Sequence, residues 1–117
     1  MTINELNDKY YFHDSCIIYI DYSKDREELI ITIEFSYWAQ EWYVEGEPEL
    51  MELKVSFDGI KDYDGLIGEI DYFSILDAEV KGDQYRLFIE DDFHQEFYEY
   101  LLSPSDVKVE VVKKYNE

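Results

Sequence analysis

The run Cys16-Ile17-Ile18-Tyr19-Ile20-Asp21-Tyr22, the polar break Ser23-Lys24-Asp25-Arg26-Glu27, and Leu29-Ile30-Ile31-Thr32-Ile33-Glu34-Phe35 together decide the fold. In the first arm Cys16, Ile18, Ile20 and Tyr22 alternate against Ile17, Tyr19 and Asp21. In the second, Leu29, Ile31, Ile33 and Phe35 share one side, with Ile30, Thr32 and Glu34 opposite. Successive side chains of a strand point to opposite faces, so a period of two predicts β-structure. A short polar break between two such runs predicts a hairpin.

Working outward, residues 36–48 lose the alternation, and a third strand then follows. It places Met51, Leu53, Val55 and Phe57 inward and Glu52, Lys54 and Ser56 outward, as a sheet with one solvated face requires. Asp58-Gly59 through Gly68 is acidic and glycine-containing and reads as turn and loop. Ile70 to Val80 and Gln84 to Glu90 predict a second hairpin, with Tyr85, Leu87 and Ile89 sharing a face. Its turn is Lys81-Gly82-Asp83, where Gly82 supplies a positive φ. Phe97 to Leu102 fits either strand or helix and ends at Pro104. Val107, Val109 and Val111 alternate with Lys108, Glu110 and Val112, a β-branched last strand. At the other end, Thr2 as N-cap and Glu5 three positions on predict a short helix over residues 2–9.

Six or seven strands with no long helical period predict a mainly β domain spanning residues 1–117. The expected form is an antiparallel sheet folded as a sandwich or half-open barrel, with one short N-terminal helix. The alternative is a single sheet with that helix packed across it. The connections lack the dozen-residue helices of parallel pairing, which argues against a Rossmann-like fold.

Composition narrows the function classes. Twelve tyrosines and seven phenylalanines exceed what a core of 117 residues encloses, so exposed aromatics are expected. With 29 acidic and 10 basic side chains the formal net charge is −19. Nucleic-acid binding depends on Lys and Arg displacing counterions, so that balance argues against polyanions and anionic membranes. Basic proteins or cations are the attractive partners. Cys16 is the single cysteine, which excludes an intrachain disulfide and suggests a small buried hydrophobe. Residues 1–8 have neither a basic region nor an apolar one, and no stretch approaches the ~20 apolar residues of a membrane span. Cytoplasm is the expected compartment.

Three clusters carry possible chemistry. Phe12-His13-Asp14-Ser15 holds the residue types of a catalytic triad, but consecutive residues do not converge on one substrate atom. Local turn hydrogen bonds from Asp14 and Ser15, with His13 at the edge of the strand, are expected instead. Asp58, Asp62, Asp64 and Asp71 surround Gly59 and Gly65, yet an EF-hand alignment on Asp62-x-Asp64-Gly65 puts Ile60 at the first ligand position. Asp91, Asp92, His94 and Glu96 mix oxygen and nitrogen donors without a metal-site spacing. No catalytic residue, metal ligand or cofactor is assigned.

The stretch Tyr37-Trp38-Ala39-Gln40-Glu41-Trp42-Tyr43-Val44-Glu45-Gly46-Glu47 differs in kind, because it sets large aromatics beside carboxylates with no Lys or Arg. Trp and Tyr anchor protein interfaces, and acidic neighbours suit a basic partner. Trp38, Glu41, Trp42, Tyr43, Glu45 and Glu47 are therefore the candidate partner-binding residues. The competing expectation is that Trp38 and Trp42 cap the open end of the β core.

The order of Phe12-His13-Asp14-Ser15, alternating strand, hairpin and Leu53-Lys54-Val55-Ser56-Phe57-Asp58-Gly59-Ile60 resembles small bacterial β-domain families of unknown function. Some members of these look like immunity proteins of polymorphic toxin systems. The resemblance implies a small cytoplasmic inhibitor, whose acidity would fit a basic nuclease target, and it carries over no catalytic residue. The leading expectation is a protein-binding module. A carboxylate- or cation-dependent enzyme and a structural homo-oligomeric domain are the alternatives.

Overall fold

A computed structural model describes residues 1–115. A helix α1 (Ile3–Lys9) precedes β1 (Cys16–Ser23), β2 (Glu28–Ser36), a 3-10 turn (Tyr37–Ala39), β3 (Leu50–Asp58), β4 (Gly68–Lys81), β5 (Gln84–Asp91), β6 (Glu96–Leu102) and β7 (Asp106–Tyr115). The strands form one sheet in the order β6-β5-β4-β1-β2-β3-β7, and its neighbours pair antiparallel.

The mainly β expectation holds, and so does the helix. The Thr2 hydroxyl accepts from the Glu5 amide at 3.2 Å, and Glu5 Oε1 accepts from the Thr2 amide at 3.1 Å, a complete capping box. Seven residues are too few to hold a helix alone. Docking holds it: Leu6 is fully buried, and the Val107 amide donates to the Met1 carbonyl at 2.9 Å.

Strand alternation holds on β2 and β3, where Leu29, Ile31, Ile33 and Phe35 and then Met51, Leu53, Val55 and Phe57 are all buried. It fails on β1. The pairing register with β2 shifts between Ile17 and Tyr19, which face the consecutive residues Ile33 and Thr32, so Ile18 is the extra residue of a β-bulge. Ile17 and Ile20 therefore both reach the core, while Ile18 is half-buried. Cys16 falls on the other side from Ile17 and is half-buried rather than enclosed. Phe97 to Leu102, open to either reading in the sequence, lies in β6 and pairs with β5.

The sheet coils onto itself. Residues 68–74 of β4 pair with β1 and residues 73–81 pair with β5, with a register shift between Ile75 and Asp77. The Phe57 ring of β3 and the Tyr85 ring of β5 are 6.0 Å apart between centroids. These strands stand four places apart in the sheet order. A flat sheet would separate them by about 19 Å at ~4.8 Å per strand. Likewise Ser103, Pro104 and Ser105 alone join β6 to β7, the two edges. Three linking residues reach about 14 Å at most, against roughly 29 Å across six flat strand spacings. The edges close toward each other at that end without a shared ladder, which makes a half-open barrel.

Candidate functional site

The segment between β2 and β3 is held by polar bonds from beneath. Tyr37 is buried at 7% exposure, and its ring meets Trp42 edge-on at 4.8 Å and Tyr43 at 5.5 Å. Its hydroxyl donates to Glu47 Oε2 at 2.8 Å. Burial first, and then that hydrogen bond, pushes the Tyr37 phenol above its ordinary pKa. The Tyr43 hydroxyl donates to the Glu47 carbonyl at 2.9 Å. Gln40, only 5% exposed, reaches across to the segment after α1. Its Nε2 donates to the Tyr11 carbonyl at 2.8 Å and the Ser36 carbonyl at 3.1 Å, while its Oε1 accepts from the Tyr11 amide at 2.8 Å. The Trp42 indole donates to the Lys9 carbonyl at 3.2 Å.

The six candidate residues separate into three roles. Glu41 and Trp42 line a cleft of about 510 Å³ together with Asp8, Lys9, Tyr11 and Gln40. Trp38 stands 51% exposed on the 3-10 turn beside it. Its indole N–H has no acceptor among the described residues. Tyr43 and Glu47 turn their bonds inward and shape the segment, and Glu45 is exposed near its tip. The β core is sealed at this end by Tyr37 and Gln40 instead of by the indoles, since Trp42 is 45% exposed. Tyr11, at 55% exposure, and Asp8 were not singled out in the sequence. The available signal was Tyr11 standing between Tyr10 and Phe12, both packed on Phe35.

No protein-family model, curated protein or solved structure matches this chain. The resemblance to immunity-like β-domains rests on its quoted words alone.

Among the described residues, Asp8, Glu41, Glu45, Glu47 and Glu49 make no ion pair. Lys9, the cation of the cleft, lies 5.6 Å from the Tyr10 ring centroid.

The other clusters resolve as framework. Ser15 is fully buried; its amide closes the local turn on the Phe12 carbonyl at 3.0 Å, while its hydroxyl accepts from the Ser36 amide at 3.0 Å, tying the start of β1 to the end of its neighbour β2 instead of bonding within the turn. Asp14 takes φ 66°, its amide donates to the Ile75 carbonyl, and His13 stacks on Tyr11 with centroids 5.6 Å apart. The hydroxyl of Ser15 thus faces a backbone amide and not an imidazole. Asp91 organises the turn between β5 and β6, accepting from the Phe93 and His94 amides and meeting His94 Nδ1 at 2.7 Å. Burial opposes its ionisation, but the bonds from His94 and Phe93 outweigh it and hold its pKa below the ordinary value. Among the described residues no group of three or more His, Cys, Asp or Glu is arranged to hold a metal ion. No described helix is long and apolar enough to cross a membrane.

Proposed function

We propose that this chain is a protein-binding module whose segment 36–49 takes a basic protein partner. One observation carries the reading: two indoles, 51% and 45% exposed, are presented beside carboxylates that make no ion pair among the described residues, on a segment clamped from below. Exposed Trp held in one geometry loses little freedom on binding, and such residues dominate interface energies. Uncompensated negative charge accelerates encounter with a positive surface. Neutralisation of a basic toxin by an immunity-type inhibitor is the specific form of this activity that the acidity suits.

The test is affinity capture from the native cell by the whole chain and by a W38A/W42A double variant, at about 0.1 M and 0.5 M salt. Charge steering weakens as the screening length shrinks over that range. A basic protein retained by the wild type, reduced at high salt and lost with the variant supports the reading. Identical protein sets bound by both forms would overturn it.

A further inference from the structure

The cleft at α1 specifies more than a charge preference. Two aromatic residues, Tyr11 and Trp42, two acidic ones, Asp8 and Glu41, and the basic Lys9 line one concavity of about 510 Å³. Each ring is fixed. Trp42 is tied by its indole N–H to the Lys9 carbonyl and lies at 76° to Tyr37. Tyr11 has its amide and carbonyl both bonded to the buried Gln40 side chain and its ring stacked on His13 at 19°. Neither carboxylate has a cationic partner among the described residues. The nearest candidate, Lys9, holds its ammonium toward the Tyr10 ring.

A planar cation suits this combination. Guanidinium stacks on aromatic faces and pairs with carboxylates through a fork of N–H donors, whereas an ammonium is a compact, strongly hydrated point charge. We infer that the cleft is a slot for one arginine side chain of the basic partner, stacked against Trp42 or Tyr11 with its N–H groups on Asp8 and Glu41. This rests on the partner-binding reading and names the group that the partner inserts. Gln40 is a positioning residue here, because it sets Tyr11 against the turn that carries Glu41 and Trp42.

The probe is a capped tetra-arginine peptide, with the tetra-citrulline peptide as its uncharged, near-isosteric control. Titration into the ¹⁵N-labelled whole chain at low salt is followed by the indole and side-chain amide resonances. The arginine peptide should shift the Trp42 indole and the Gln40 amide in a saturable way, and the Trp38 indole much less. Citrulline should leave all three in place. A D8N/E41Q variant, changed only at exposed positions, should bind about tenfold more weakly, as two exposed charge pairs imply. A diffuse response across the acidic strands, equal binding of citrulline, or unchanged affinity in D8N/E41Q would overturn the slot. If a basic protein is still captured through Trp38 and Trp42 in that event, the module survives without the slot. If capture fails too, both readings fall.

Discussion

Replacing Gln40 by leucine tests the clamp on which the site depends. The side chain is 5% exposed and makes three bonds, to the Tyr11 amide, the Tyr11 carbonyl and the Ser36 carbonyl. Leucine fills a similar volume and makes none of them. Each buried polar group left without a partner costs about 1–3 kcal/mol, and the two Tyr11 groups, being part-buried, recover some of that from water. The sum is about 2–4 kcal/mol. With a urea m-value of about 1.5 kcal/mol/M, the unfolding midpoint should fall by roughly 1.3–2.7 M. Tryptophan fluorescence and far-UV circular dichroism should report the same transition. A fall below about 0.5 M would refute the claim that Gln40 holds the two segments together. The Gln40→Glu variant checks the same geometry by pH. Its ionised carboxylate would face two carbonyl oxygens where Nε2 now donates, so its folded pKa is raised above the ordinary value of about 4.3. A carboxyl with a raised folded pKa gives a fold that is most stable below the unfolded pKa and weakens as pH rises through the folded one. Q40E should therefore melt closer to the wild type at pH 4 than at pH 8.

Ser15→Ala strands the buried Ser36 amide and should destabilise by about 1–3 kcal/mol in thermal or urea unfolding; a neutral effect would remove Ser15 from the framework. Tyr85 carries a buried hydroxyl with no hydrogen-bond partner among the described residues, so Tyr85→Phe should be neutral or stabilising, by up to about 1 kcal/mol; a clear loss of stability would reveal a bonded hydroxyl. Because the Asp91 pKa is depressed, its carboxylate stabilises the fold above the unfolded value of 3.8 and loses that effect as pH falls through the folded one. The gap in urea midpoint between wild type and Asp91→Asn should thus close below about pH 4, and a gap independent of pH would reject the depressed pKa.

The legible parts of the fold were those encoded by neighbours in sequence. Thr2 and Glu5 are three apart and predict their own bonds, and the β2 and β3 faces follow from strict alternation. The β1 bulge was hidden because Ile17, Ile18, Tyr19 and Ile20 are all apolar, and no polar residue marks where one extra position enters. β6 was ambiguous for a different reason. Phe97 and Leu101 are exposed on an edge strand, so pairing with β5 decides its conformation and local propensity does not. The site divides along the same line. Glu41 and Trp42 stood out as acid beside indole within one segment. Asp8 and Tyr11 lie about thirty residues away, and the Tyr11–Gln40 bonds and the Trp42–Lys9 bond, spanning 29 and 33 positions, bring them to it.

Where the few cations sit bears on what the net charge of −19 is for. On the outer face of β4, β5 and β6, Arg86 alone meets Glu99 at 2.7 Å, Asp77 at 3.3 Å and Glu79 at 3.7 Å. Lys108 on the β7 edge meets Asp58 at 3.5 Å, and Lys24 meets Asp62 at 3.6 Å. Yet the segment from Glu41 to Glu49 carries four glutamates and no Lys or Arg, and Lys9 beside it is turned to an aromatic ring. Carboxylates repel one another, and with no ion pair for these four among the described residues that repulsion is unrelieved in the free protein. A guanidinium arriving there would relieve it at the moment of contact.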